Sequence, residues 1–423
     1  MCRFEVEGKR QLNGEVWING AKNSALKIMA ASLLGHGTFK ITDVPKIRDV
    51  ITMCGVLNSL GVHCKLEPNC LELKVNSLHG RPPQELAKSM RASVQIMGPM
   101  LAKLGRVEVA RPGGCAIGSR PLDLHLAGFQ RMGAVIDVSD ELISARAKRL
   151  RGADLTLRFP SVGATENIMM AATLAQGETI IRNAAREPEI VDIQSFLNKM
   201  GARVTGAGTP VIRIKGVREL GAVDFRLIPD RIEAGTYLLA GLITGGSVTL
   251  RNVVSAHLAA LLRVVEGMGA EIEEGERSLT AHPPARLAPF NVVTSPYPGF
   301  PTDLQPQLAA LATQAAGTSL LTESIFDSRF GYLKELAKLG AKLKVEGRTA
   351  AISGGLPLEG AAMTGCDLRA GAALVLAALA AEGLSVIDGV GHIERGYEAM
   401  EVKLAKLGAK IKRVCPREGL DEE

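Results

Sequence analysis

Hydrophobic and polar positions along this chain repeat on a long period. Six amphipathic stretches end in a similar triplet: Leu60-Gly61-Val62, Met132-Gly133-Ala134, Met200-Gly201-Ala202, Met268-Gly269-Ala270, Leu339-Gly340-Ala341 and Leu407-Gly408-Ala409. Their spacing is about 70 residues, longer than the common solenoid periods. A glycine at that place, as after the amphipathic run Val191–Met200, predicts a left-handed helix cap. A short alternating strand follows, as at Lys342–Val345. Upstream of the triplets lie six segments rich in Ala, Leu and Met: Asn23–Leu34, Ser89–Lys103, Ala164–Leu174, Arg231–Leu242, Asp303–Thr313 and Leu368–Ala380. A helix without a polar face must be buried. Each is followed by a glycine and a β-rich run, such as Thr38–Thr42 or Ser247–Asn252. The unit is strand–helix–strand–helix–strand, with one more strand before the next unit. Three or more such units packing these helices inward would bury them, which makes the fold α/β.

The sixth unit lacks its final strand, because little chain remains after Ile411–Val414, whereas Phe4–Glu7 is a strand with no unit of its own. The N-terminal strand is therefore expected to complete the sixth unit. Two domains of three units each follow. The first spans 21–228 and carries a cysteine loop; the second is discontinuous, 1–20 with 229–423. Its acidic end, from about 415 to 423, is expected to be disordered.

Composition narrows the function without naming it. For 423 residues two to three domains are the prior, and 46% hydrophobic with 22% charged residues describes a soluble globular protein. A net charge of +6 and a pI near 8.9 suit an anionic small molecule. The cations are scattered and aromatics make up only 4%, which argues against a base-stacking nucleic-acid platform. Cysteines 2, 54, 64, 70, 115, 366 and 415 form an odd set without paired spacing, and His63, Cys64 and Cys70 match no zinc pattern. A reduced, cytoplasmic setting is the expectation. Residues 1–10 contain no signal-peptide apolar core, and the apolar run Ala370–Ala381 is too short to span a bilayer.

Candidate chemistry sits at the helix starts. These read Lys22-Asn23, Arg91 with Ser93, Ser161-Val162-Gly163, Asp230-Arg231, Thr302-Asp303 and Asp367-Leu368-Arg369. Helix N-termini attract anions through free N–H groups and the helix dipole. Capping accounts for Asn23, Ser161, Asp303 and Asp367. It does not account for Lys22, Arg91 or Arg369, since a cation there is unfavourable unless an anion is shared. If the two domains face each other, these ends line one cleft. The loop Arg111–His125 places Cys115 among three glycines and two prolines, with Arg111 and Arg120 on either side. Nearby cations favour the thiolate and make a cysteine reactive. Arg329, in Phe326–Phe330, and Arg395, in Gly391–Tyr397, follow strands at matching places in their units.

Four motifs together, Gly20–Ala25, Arg111–His125, Phe300–Asp303 and His392–Tyr397, resemble the UDP-N-acetylglucosamine 1-carboxyvinyltransferase family of enolpyruvyl transferases. The likeness runs from about residue 3 to 414, and the cysteine loop separates this family from 5-enolpyruvylshikimate-3-phosphate synthase. The resemblance implies two inside-out α/β domains with buried helices and outer sheets. It implies transfer of an enolpyruvyl group from phosphoenolpyruvate to the 3′-hydroxyl of UDP-N-acetylglucosamine, with loss of phosphate. Cys115 would be the proton donor, Asp303 would take or orient the hydroxyl proton, and Lys22, Arg120 and Arg395 would hold the phosphate. Asn23 would contact the substrates, and Arg329 and Arg369 the carboxylate. The UDP-sugar would meet Arg91, Arg120, Pro121, Leu122, Asp123, Leu124, Ser161, Val162, Gly163, Asp303 and the backbone at Ile325. Pro160 and Tyr297 depart from the family pattern at positions where a polar residue and a histidine are usual. No metal, organic cofactor, nucleic acid, membrane insertion or obligate protein partner is implied. The alternatives are the shikimate-pathway transferase and a non-catalytic or RNA-directed relative.

Overall fold

The computed structural model describes residues 2–79, 91–110, 118 and 121–416, including all side chains but those of 91–93. The chain divides into two compact units. One is inserted in the sequence and comprises Asn19–Gly114 and Arg120–Pro229; the other is discontinuous and comprises Met1–Ile18, Cys115–Ser119 and Asp230–Glu423. The expected boundaries at 21 and 228 move outward for a local reason. Gly20 forms a bridge with Pro229, and the Ala21 N–H donates to the Ile228 carbonyl at 2.7 Å, so both crossing segments belong to the inserted unit. Gly118, from the cysteine loop, groups with the discontinuous unit instead of the inserted one.

Among the described residues there are five four-stranded sheets and one three-stranded sheet. In the inserted unit, Gly37–Thr42 pairs antiparallel with Cys70–Val75 and parallel with Asp224–Arg226, while Val62–Glu67 lies beyond Cys70–Val75. All five four-stranded sheets share this order: one parallel strand, then the strand that follows a buried helix, then an antiparallel pair. In the sixth unit the strand Arg3–Glu7 takes the third place, between Leu384–Asp388 and Lys410–Val414. The N-terminal strand thus supplies what the sixth unit lacks.

The long-period glycines act as read. Gly61, Gly133, Gly201, Gly269, Gly340 and Gly408 all have φ between 90° and 106°. After four of them the alanine N–H reaches back to the last helical turn, as from Ala202 to Leu197 and from Ala409 to Leu404, both 3.0 Å. That bond closes a Schellman cap and satisfies a terminal carbonyl. The helices upstream are buried on every side. All 13 residues of Arg231–Ile243 and all 13 of Leu368–Ala380 are buried, as are the 8 of Gln305–Ala312. Each unit has its own apolar core around such helices. No helix among the described residues is long and apolar enough to cross a membrane.

Strand register explains a cysteine pair that spacing conceals. Arg3 lies opposite Val414, so Cys2 and Cys415, one residue further on, face each other and form a disulfide with Cα atoms 4.1 Å apart. The expectation of a reduced cysteine set is corrected for these two. Of the tail expected from about 415, Cys415 and Pro416 are described and the rest lies outside the described residues.

Candidate functional site

In the inserted unit Lys22 opens the helix Lys22–Ala31, whose N-cap residue Ala21 offers no side-chain acceptor. The charge clash of a cation at that end is offset by Asp49, whose Oδ2 is 2.8 Å from Lys22 Nζ; both residues are buried. Asn23 is half-buried beside it. Ser161 caps the helix Val162–Ala172, its Oγ accepting from the Ala164 N–H at 3.3 Å. Val162 and Gly163 are half-buried. A Cβ on Gly163 would stand 3.1 Å from Gln95 Nε2 and 3.2 Å from His125 Nε2, so a larger residue would press on both side chains. Asn167 fixes the arrangement, donating to the Val94 carbonyl at 3.0 Å, accepting from the Gly98 N–H at 2.7 Å and lying 3.1 Å from His125 Nδ1. His125 belongs to the helix Asp123–Arg131, so Ser161–Gly163 and the segment Pro121–Leu124 come together at one end of this unit. Asp123 is paired with Arg158 there.

Behind these residues lies a set of buried carboxylates. Glu166 is fully buried; its Oε2 is 2.8 Å from Lys27 Nζ and accepts from Gln95 Nε2 at 3.4 Å, while Oε1 has no partner among the described residues. Burial pushes the Glu166 carboxyl up to about 7, although Lys27 pulls it down. Asp192 accepts from the Ser24 hydroxyl and is also pushed up by burial to about 7. A raised native value means that the folded state holds a proton which the unfolded chain releases. The Glu166 contribution is complete below its ordinary value of 4.5 and is lost as the pH rises to about 7. At ~1.4 kcal/mol per pH unit the loss is on the order of 3 kcal/mol, with Asp192 adding to it in the same direction. Denaturant melts at pH 5 and pH 8 are expected to show lower stability at pH 8. Glu166→Gln should remove about half of that difference; an unchanged difference would mean that Glu166 does not titrate here.

In the discontinuous unit the short 3₁₀ turn Thr302–Leu304 carries Asp303. Asp303 Oδ2 accepts from Arg369 Nε at 3.2 Å and from Nη2 at 3.0 Å, while Oδ1 accepts from Arg329 Nη2 at 3.5 Å. Both arginines are 4% exposed, and the aspartate side chain is 31% exposed. Arg329 Nε has no hydrogen-bond partner among the described residues. A buried guanidinium donor without an acceptor is costly, and its presence beside an accessible carboxylate suits an anion that completes the set. Arg369 follows the N-cap Asp367, whose carboxylate accepts from the Arg369 and Ala370 N–H groups at 2.8 and 3.1 Å. Arg395 is half-buried just after the short helix Val390–Ile393.

Glu323 organises this turn and was not singled out in the sequence. It is 1% exposed and accepts from the Thr302 and Thr294 hydroxyls at 2.9 and 3.0 Å and from the Ile325 and Phe326 N–H groups at 2.8 and 3.1 Å. One carboxylate thereby sets both the Asp303 turn and the backbone at Ile325. Asp49 and Tyr397 were likewise missed, the first as the ion-pair partner of Lys22 and the second as the ring beside Arg369. The structure brings Asp303, Arg329 and Arg369 together and puts Ile325 next to them through Glu323. Cys115, Arg111 and Arg120 lie outside the described residues, as do the side chains of Arg91 and Ser93.

Comparison with known proteins adds to this geometry. The family model described as EPSP synthase (3-phosphoshikimate 1-carboxyvinyltransferase) matches residues 6–404. UDP-N-acetylglucosamine 1-carboxyvinyltransferase 2 of Carboxydothermus hydrogenoformans is 49% identical over 98% of this chain and 100% of its own length. UDP-N-acetylglucosamine 1-carboxyvinyltransferase 1 of Symbiobacterium thermophilum is 50% identical over 97% of this chain and 95% of its own. Among solved structures, the enolpyruvyl transferase NikO from Streptomyces tendae superposes with a TM-score of 0.89 at 25% identity, covering 98% of this chain and 99% of that one. The fold is that of the enolpyruvyl transferases. With about half its residues identical to named relatives over nearly its whole length, the chain belongs to the UDP-N-acetylglucosamine 1-carboxyvinyltransferase family.

Proposed function

We propose that this protein transfers the enolpyruvyl group of phosphoenolpyruvate to the 3′-hydroxyl of UDP-N-acetylglucosamine and releases phosphate. The observation that carries the reading is the cluster of a half-exposed Asp303 carboxylate and two buried arginines, in a chain so close to relatives of that name. The reaction needs a base at the attacking hydroxyl, a proton for the methylene carbon, and cations around a phosphate that leaves. Asp303 takes or orients the hydroxyl proton as oxygen attacks C2 of the donor, while the Cys115 thiol protonates C3. Loss of a C3 proton and of phosphate from that adduct then restores the double bond. Arg329 and Arg369 hold the carboxylate; Lys22, Arg120 and Arg395 hold the phosphate; Asn23 contacts the substrates. The UDP-sugar lies on Arg91, on Pro121, Leu122, Asp123 and Leu124, on Ser161, Val162 and Gly163, and on the Ile325 backbone. The reaction is the first committed step of peptidoglycan synthesis, a cytoplasmic task that requires no cofactor.

Phosphate release from phosphoenolpyruvate tests the proposal. UDP-N-acetylglucosamine is expected to support turnover and shikimate 3-phosphate to give none above background. Turnover with shikimate 3-phosphate alone would move the protein to the other branch of the superfamily. Release with neither acceptor would leave it a non-catalytic relative.

A further inference from the structure

The roles assigned above leave a buried hydroxyl cluster unused. Tyr397, two residues beyond Arg395, is 1% exposed, and Thr236 and Gln307, each on a wholly buried helix, are 0% exposed. Tyr397 Oη is 2.8 Å from Thr236 Oγ1, and Gln307 Nε2 donates to both oxygens at 3.1 Å. The direction of every proton follows from the donors available. Thr236 gives its one hydrogen to the Ile232 carbonyl at 2.8 Å, and an amide nitrogen only donates. Tyr397 therefore donates its hydrogen to Thr236, and both lone pairs of its oxygen are left to accept. One takes Gln307. The other is left open on the side of the Arg369 guanidinium, whose Cζ lies 5.5 Å from the ring centroid, near enough for its charge to bear on the phenol.

We propose that Tyr397 is a positioning residue for the donor substrate: its oxygen, held as an acceptor by Thr236 and Gln307, aims Arg369 at the carboxylate of phosphoenolpyruvate. The inference rests on the reading that Arg369 binds that carboxylate. Asp303 already takes Nε and Nη2 of Arg369, yet it must also serve the acceptor hydroxyl. Tyr397 keeps the guanidinium in place when Asp303 turns to that task, and being neutral it does not compete with the anion for the positive charge.

Steady-state kinetics of the full-length enzyme separate the possibilities. Tyr397→Phe removes only the oxygen; a direct hydrogen bond to a charged group is worth roughly ten- to a hundredfold in binding, and a residue acting through Arg369 passes on only part of that. The expected result is a KM for phosphoenolpyruvate raised roughly five- to tenfold, with kcat and the KM for UDP-N-acetylglucosamine each within about twofold. Thr236→Val is expected to act in the same direction, and Thr236→Ser, which keeps the hydroxyl, to restore the parent values. Arg369→Lys tests the underlying reading and should raise the same KM well beyond Tyr397→Phe. If Arg369→Lys leaves that KM unchanged, the carboxylate reading falls and this proposal with it. If Arg369→Lys raises it and Tyr397→Phe does not, only the positioning role is overturned. Equal losses for both substrates in Tyr397→Phe, together with a lower Tm, would also overturn it, because such a pattern reports a packing role alone.

Discussion

Asp303→Asn is expected to lower kcat by roughly 10² to 10⁴, the usual share of a general acid or base. The amide keeps the shape of the side chain and can still accept from one arginine, but it cannot take a proton. UDP-N-acetylglucosamine affinity, read by calorimetry, should change much less than turnover. Asp303→Ala should match that loss of turnover and also reduce stability, because Arg329 and Arg369 are both buried and share this carboxylate. A loss seen only in KM, with kcat intact, would assign Asp303 to binding or to shaping its turn, and another group would have to be the base.

Cys115→Ser should reduce turnover by a similar factor, roughly 10² to 10⁴, since a hydroxyl is a far weaker acid than a thiol. Cys115→Asp should retain turnover, because a carboxylic acid can still deliver a proton. An electrophilic phosphonate epoxide such as fosfomycin is expected to alkylate Cys115 ahead of every other thiol and to spare the aspartate variant. The competitors have physical handicaps. Cys54 is buried, and Cys366, although exposed, has its thiol pushed above the ordinary value of 9.0 by partial burial and by the charge of Asp367. Peptide mass mapping after brief exposure decides the matter. Labelling of Cys366 or Cys54 first, with activity retained, would remove Cys115 from the mechanism.

What could be read from the sequence was what recurs within one unit. The helix Leu368–Ala380 was legible to the residue because it has no polar face, and its N-cap Asp367 and the glycine caps marked where helices start and stop. Arg369 was legible as a helix-start residue that capping does not explain, whereas Asp303 reads as a cap in sequence and in the structure lies inside the turn that follows Pro301. Their partnership was not, because 66 residues separate them and nothing local records which helix ends meet. Arg329 looks in sequence like a solvated loop residue and proves 4% exposed. Glu323 is harder still. A glutamate between threonine and serine after a strand resembles any polar turn, and only the fold shows that four donors converge on it. Cys2 and Cys415 are 413 residues apart, so strand register alone reveals them.

The place of the strand Arg3–Glu7 has a consequence for synthesis on the ribosome. Its two neighbours in the sheet are Leu384–Asp388 and Lys410–Val414, so it is made long before either and waits for both. At ~5–20 residues per second that delay is roughly 20 to 80 s. Meanwhile Asn19–Gly114 and Arg120–Pro229 are complete as soon as Pro229 has emerged, with both crossing segments already paired at Gly20 and Pro229. The inserted unit is thus able to fold vectorially while the first strand remains an unpaired edge. Nascent-chain intermediates should protect the inserted unit from protease well before residues 3–7, and the exposed strand is where chaperone contact during translation is expected to concentrate.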